Sequence, residues 1–221
     1  MFLASGKRDM LNKLSLADRV REDVPQPIKV VKPIGDVVKI SGEGALLKNH
    51  YKAFDFDGNT YELGDTVLLA PDSQGRMVKP YVAMIKDITE MENKGIMLNA
   101  QWFYRPEDAT PIRSGKNMES IGARELYYSF HKDEVPAETI MHKCIVHFVT
   151  TQKHIPSRKE YPGFIVQKVY DPNTKRLLKL TNNGFLHDME QEIDLLVQKT
   201  MLHLSILPDT EKPVDKGKRL K

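Results

Sequence analysis

The residues whose types and spacing could do chemistry stand in one run, Gln101-Trp102-Phe103-Tyr104-Arg105-Pro106-Glu107, which holds the chain's one tryptophan. The stretch from Met97 to Tyr104 has no Gly or Pro and ends in β-favouring aromatics, so it reads as a strand. Pro106 has no N–H for a ladder and stops it. Side chains alternate along a strand, so Trp102 and Tyr104 share one face and Phe103 takes the other. Two large π faces side by side suit half of a box for a methylated ammonium, a cation drawn to the electron-rich ring face. Aromatics two apart on a strand are also, and more often, core residues. The residues alone leave both roles open.

Other chemistry finds less support. Cys144 with His142 or His147 is a conceivable nucleophile pair, but a lone Cys in an apolar strand is usually inert core and no oxyanion-hole motif accompanies it. His142, His147 and His154 are not at a metal-ligand spacing, and no zinc site built on several cysteines is possible with one. Gly42-Glu43-Gly44 lacks the third Gly and the Lys-Ser/Thr of a phosphate loop. The expectation is a protein that is not an enzyme and uses no cofactor or metal.

The bulk properties agree. A chain of 221 residues with 40% hydrophobic content can build one sizeable core. A net charge of +3 is too small to indicate a nucleic-acid binder by itself, and much of the excess lies in the tails, so direct nucleic-acid binding is not expected. The single cysteine fits a reducing compartment. No run of 18 apolar residues is present, so no membrane span is expected.

The elements that must position the aromatics follow from periodicity. Residues 1–47 read as an N-terminal arm: a short helix-like spacing at Leu11 and Leu14, then an extended stretch punctuated by Pro25, Pro27 and Pro33, as strands or as an arm. A domain over 48–182 follows. Tyr51 to Phe56 alternates with period two, and Asp57-Gly58 is a two-residue hairpin signal before Thr60 to Leu63. Thr66 to Ala70 reads as a strand buried on both faces, and Pro80 to Ile88 as another. Glu125 to Ser129 is a short strand, Phe130 to Pro136 a polar loop, and Ile140 to Phe148 one strand. Gly163 to Val166 and Leu177 to Leu180 flank a turn at Asp171 to Thr174. Short strands at roughly ten-residue spacing indicate an all-β barrel or sandwich. Residues 183–207 hold a helix whose stripe of Leu186, Met189, Ile193, Leu196, Val197, Met201 and Leu204 docks on the β domain, with a partner-helix surface as the alternative. Residues 208–221 form a basic tail, usually a solvated linker, with non-specific nucleic-acid contact or a nuclear import signal as the weaker reading.

Five motifs in order resemble bromo-adjacent homology (BAH) domains. Tyr61-Glu62-Leu63-Gly64-Asp65-Thr66-Val67-Leu68-Leu69 is similar to the family's opening strand and Pro80-Tyr81-Val82-Ala83-Met84-Ile85 to its next. Trp102-Phe103-Tyr104-Arg105-Pro106-Glu107 resembles its W-[FY]-[YF]-R-P-E signature. Glu125-Leu126-Tyr127-Tyr128-Ser129 and Lys143-Cys144-Ile145-Val146-His147 are similar to its later elements.

The resemblance implies a mainly β fold, a distorted β-barrel with a C-terminal helix and an extended N-terminal arm. It is nearest to plant members that read histone H3 trimethylated at lysine 27, of the flowering-time-repressor and anti-silencing-complex type. Carried over, the methyl-lysine cage is Tyr81, Trp102 and Tyr104, and the family's peptide-holding His and Asp match His131 and Asp133. The implied partners are the H3 tail with trimethyl-lysine and subunits of chromatin or RNA-processing complexes, in the nucleus, linking the mark to transcriptional repression. The alternative is a protein-interaction scaffold of a chromatin complex that recognises no methyl-lysine.

Overall fold

The structure is a computed structural model and describes residues 30–71, 78–92, 95–109, 122–182 and 184–205. The helix-like spacing at Leu11 and Leu14 and the basic tail lie outside the described residues. In chain order the strands are β1 (Val31–Ile34), β2 (Lys39–Ser41), β3 (Lys48–Tyr51), β4 (Ala53–Phe56), β5 (Asn59–Glu62) and β6 (Thr66–Leu69). Then come β7 (Tyr81–Met91), β8 (Gly95–Tyr104), β9 (Glu125–Pro136), β10 (Ile140–Lys143), β11 (Val146–Phe148), β12 (Phe164–Asp171) and β13 (Arg176–Lys179). One α-helix, α1 (His187–Ser205), follows.

The Asp57-Gly58 hairpin forms as its sequence predicts. Both residues take positive φ, 55° and 74°, the backbone a two-residue loop needs to match strand twist. It joins β4 to β5, and β1 pairs β4 on the other side to complete a three-stranded sheet. The extended stretch after Pro25 thus supplies strands: β1 in this sheet, and β2 paired to β3 in the larger one.

The larger sheet has ten strands along the path β10-β6-β7-β8-β9-β12-β11, with β13 on β12 and the β2–β3 hairpin on β7. Its ladder does not close. Its two end strands, β10 and β11, are nonetheless consecutive in the chain, separated by Cys144 and Ile145 alone. The sheet must therefore curl until its edges nearly meet, which makes it an open, distorted barrel.

The expected single strand Ile140 to Phe148 is corrected by this arrangement. β10 runs antiparallel to β6 and β11 parallel to β12, so the chain leaves one edge and joins the other at Cys144. Thr66 to Leu69 is also corrected: only Val67 and Leu69 are fully buried, because one face of β6 lies on the core and the other is partly open.

Two cores result. One gathers Phe54, Tyr61, Leu69, Ile85, Ile88 and Leu98, and the other Phe103, Leu126, Tyr128, Phe148, Val166 and Ile193. Helix α1 covers the second with Ile193, Leu196 and Val197, as the stripe predicts. Leu186 departs from that stripe: it precedes the helix and is 71% exposed. Three polar bonds fasten α1: Lys86 Nζ donates to Glu192 Oε1 at 3.0 Å, the Tyr128 hydroxyl donates to the same oxygen, and the Phe148 N–H donates to Thr200 Oγ1 at 2.9 Å.

The largest departure from expectation is Phe130 to Pro136. It is not a loop but the second half of β9, a twelve-residue strand. Its polar residues read as a loop because both faces here are exposed, yet the backbone of Lys132 to Pro136 is paired residue by residue with Gln101 to Met97.

Candidate functional site

The site lies where β7, β8 and β9 run side by side. Alternation puts Tyr81 and Ala83 of β7 on the face that carries Trp102 and Tyr104 of β8. Ala83 is the register partner of Trp102, and its small side chain leaves room for the indole beside Tyr81. The Tyr81 and Trp102 rings meet edge to face, centroids 6.0 Å apart at 74°. Tyr81 is 44% exposed, while Trp102 and Tyr104 are half-buried. Trp102 packs one side on the first core, and Tyr104 stands 5.1 Å from Tyr170 at 64°.

The rings face an open cleft of about 550 Å³. Besides the three aromatics, its walls include His131, Asp133 and Asp108 at one end and Leu69, Val135 and Pro136 at the other. All five residues picked out from sequence therefore line one cleft. The indole Nε1–H of Trp102 donates to Asp133 Oδ2 at 2.7 Å, and Tyr104 Oη lies 2.8 Å from His131 Nδ1. His131 Nε2 is 3.4 Å from Asp133 Oδ2. Burial raises the Tyr104 phenol above its ordinary range, with Tyr170 and the Asp133 charge adding to it. The phenol is thus neutral at physiological pH.

A bulge in the β8–β9 ladder aims these side chains. Gln101 pairs with Lys132 and Phe103 with Tyr128, so Ser129, Phe130 and His131 all stand opposite Trp102. Side chains satisfy the interrupted ladder: Gln101 Nε2 donates to the Ser129 carbonyl at 3.0 Å, and the His131 N–H donates to Ser129 Oγ at 3.1 Å. Gln101 is fully buried, and its Oε1 has no partner among the described residues. Sequence reasoning missed Gln101 and Ser129. The available signal was an amide side chain directly before the tryptophan.

The rest of the W-F-Y-R-P-E run holds the strand ends. Arg105 Nη2 donates to the Pro80 carbonyl at 3.0 Å and its guanidinium lies 5.6 Å from the Phe164 ring centre, tying the end of β8 to the start of β7. Glu107 pairs with Lys79 at 2.5 Å, and that bond holds its carboxyl below the usual range. Asp108, the residue after this run, lines the cleft.

The other reactive-looking groups are structural. Burial pushes the Cys144 thiol up to about 11, which leaves almost no thiolate at neutral pH. His147 is buried, donates from Nε2 to the Pro162 carbonyl at 3.0 Å, and is pushed below its ordinary range by that burial. Ser41 Oγ, His50 and Asp87 are connected in the order of a hydrolase triad, at 2.7 Å and 3.0 Å. Their place is at the β2–β3 turn, which folds back so tightly that a Cβ on Gly42 would lie 2.2 Å from the Leu46 carbonyl oxygen. The chain of bonds fastens that hairpin to β7. Among the described residues no group of three His, Cys, Asp or Glu could hold a metal, and no helix is long and apolar enough to cross a membrane.

Comparison with known proteins places this geometry in a family. The chain is 38% identical over 84 residues to chromatin remodeling protein EBS of Arabidopsis thaliana, covering 38% of this chain and 33% of that protein. It is 32% identical over 95 residues to chromatin remodeling protein SHL of the same plant, covering 42% and 39%. It is 28% identical over 127 residues to the plant's protein ANTI-SILENCING 1, covering 53% and 19%. The chain thus spans between a fifth and two-fifths of the length of these curated relatives. The crystal structure of the yeast Rsc2 BAH domain superposes with a TM-score of 0.46 at 21% identity, covering 59% of this chain and 54% of that one. The BAH domain family model matches residues 59–181, more than half of the chain and the whole span from the β5 strand through the aromatic cleft to β13, so the chain belongs to the BAH domain family.

Proposed function

We propose that this chain is a chromatin reader that binds the histone H3 tail trimethylated at lysine 27, with Tyr81, Trp102 and Tyr104 as the cage. The observation that carries the reading is three rings from two adjacent strands opening on one cleft of about 550 Å³ whose lining also holds Asp108 and Asp133. A trimethylammonium keeps its charge, donates no hydrogen bond and spreads over a bulky, weakly hydrated surface. Aromatic faces attract it at about 0.5–2 kcal/mol per contact. Three walls supply a few kcal/mol, and peptide contacts along the cleft must supply the rest of the roughly 8 kcal/mol that a micromolar complex needs. The two acids favour a basic tail, and His131 and Asp133 stand where a peptide leaving the cage would pass. The relatives named for chromatin remodeling and anti-silencing support a role at chromatin; nuclear location, a link to repression and subunits of chromatin or RNA-processing complexes as partners are part of the same proposal.

The second reading is a scaffold that recognises no methyl-lysine. Its support is the exposed apolar run at Val37, Val38, Ile40, Leu46 and Leu47. Titration with H3 peptides carrying zero to three methyl groups on lysine 27, followed by calorimetry and, in the native chain, by the emission of Trp102, separates the two. A reader prefers the trimethyl form by about tenfold or more, and Trp102→Ala abolishes the preference in a protein that stays folded by circular dichroism. Equal weak binding of all peptides leaves the scaffold.

A further inference from the structure

Resting on that reading, we propose that His131 and Asp133 are positioning residues, which lock Trp102 and Tyr104 into the orientation a quaternary ammonium requires before any peptide arrives. Indole Nε1–H to carboxylate at 2.7 Å, carboxylate to imidazole at 3.4 Å and imidazole to phenol at 2.8 Å make one continuous chain between two cage walls.

Each link has its own support. The ring of a half-exposed Trp or Tyr is free to change rotamer, and ordering it on binding costs affinity. The chain orders both rings in the free protein. His131 is itself anchored by its N–H to Ser129 Oγ inside the bulge, and Tyr104 is held from its other edge by Tyr170. Tyr81 differs: its ring touches Trp102, but its hydroxyl has no partner among the described residues, so it is the adjustable wall.

Asp133 adds charge to geometry. A carboxylate on the indole N–H makes a charge-assisted bond that pushes electron density onto the ring face a cation meets. Its reach is seen at Tyr104, whose phenol its charge helps to keep protonated. A residue that merely touched the peptide would leave the free protein's tryptophan unchanged. This chain would not.

The test uses the full chain with Asp133→Ala, Asp133→Asn and His131→Gln. Both sites are exposed by 42% or more, so the substitutions spare the fold. The first measurement is Trp102 fluorescence anisotropy without peptide. Asp133→Ala lowers it, whereas Asp133→Asn keeps it because the amide oxygen still accepts the indole N–H. The second is affinity for an H3 peptide trimethylated at lysine 27. Asp133→Ala weakens it about tenfold and Asp133→Asn about threefold, the difference separating position from charge. His131→Gln, which loses the link to Asp133, weakens it about threefold. Unchanged anisotropy in Asp133→Ala overturns the proposal. If no methylated peptide binds the native chain, the reader assignment fails, while the anisotropy measurement still decides the positioning role.

Discussion

Glu125 to Ser129 and Phe130 to Pro136 belong to one strand, yet they live in different surroundings. The first five residues of β9 are all buried, between β8 and β12, and include an internal ion pair of Glu125 with Lys168 at 2.8 Å. The last seven are half-buried or exposed and pair with β8 alone. The bulge opposite Trp102 divides them. One half anchors and the other presents. A strand rooted in a core can hold exposed polar side chains at fixed angles, which a loop of the same composition would not.

That contrast can be broken from either side. Tyr128→Ala in the buried half removes a ring packed between Phe103, Phe130 and Phe148 and should cost about 3–5 kcal/mol, read as a lower urea midpoint. Trp102→Ala, on β8 facing the bulge, should cost about 1–2 kcal/mol in the same experiment, since the ring is half-buried, while removing the methyl-lysine preference. If both variants lose stability equally, the indole is core and the cage fails. Glu192→Ala tests whether α1 steadies the anchored half. It leaves the Tyr128 hydroxyl and Lys86 without their shared acceptor, and should cost about 1–3 kcal/mol with peptide affinity nearly unchanged.

Smaller effects sharpen the same division. Cys144, on the buried side, should react with iodoacetamide at pH 8 roughly a hundredfold more slowly than an ordinary thiol, because its pKa is pushed to about 11. Unfolding in urea should restore the ordinary rate. His147 is held neutral in the fold by burial, so the unfolded chain takes up its proton first as pH falls. Stability should therefore drop below about pH 6.5, and His147→Gln should flatten that limb of a stability–pH curve.

Much of this was legible in the residues. Asp57-Gly58 announced its hairpin because only a few residue types accept positive φ at both positions. The stripe from Met189 to Leu204 announced the docked face of α1. Trp102 and Tyr104 shared a face by alternation alone, and five motifs in order pointed to the family. What misled was polarity. His131-Lys132-Asp133-Glu134 looked like a loop because strand patterns are recognised by their apolar face, and this half of β9 has none.

Local sequence thus determined which residues alternate, which turns are possible and which rings face together. Tertiary structure alone decided that the chain jumps between sheet edges at Cys144, that three residues of β9 stand opposite one of β8, and that Asp133 meets the indole of Trp102. Register and bulges are set by pairing between segments far apart in the chain. That pairing is chosen by the sum of all their contacts, and no single stretch records it.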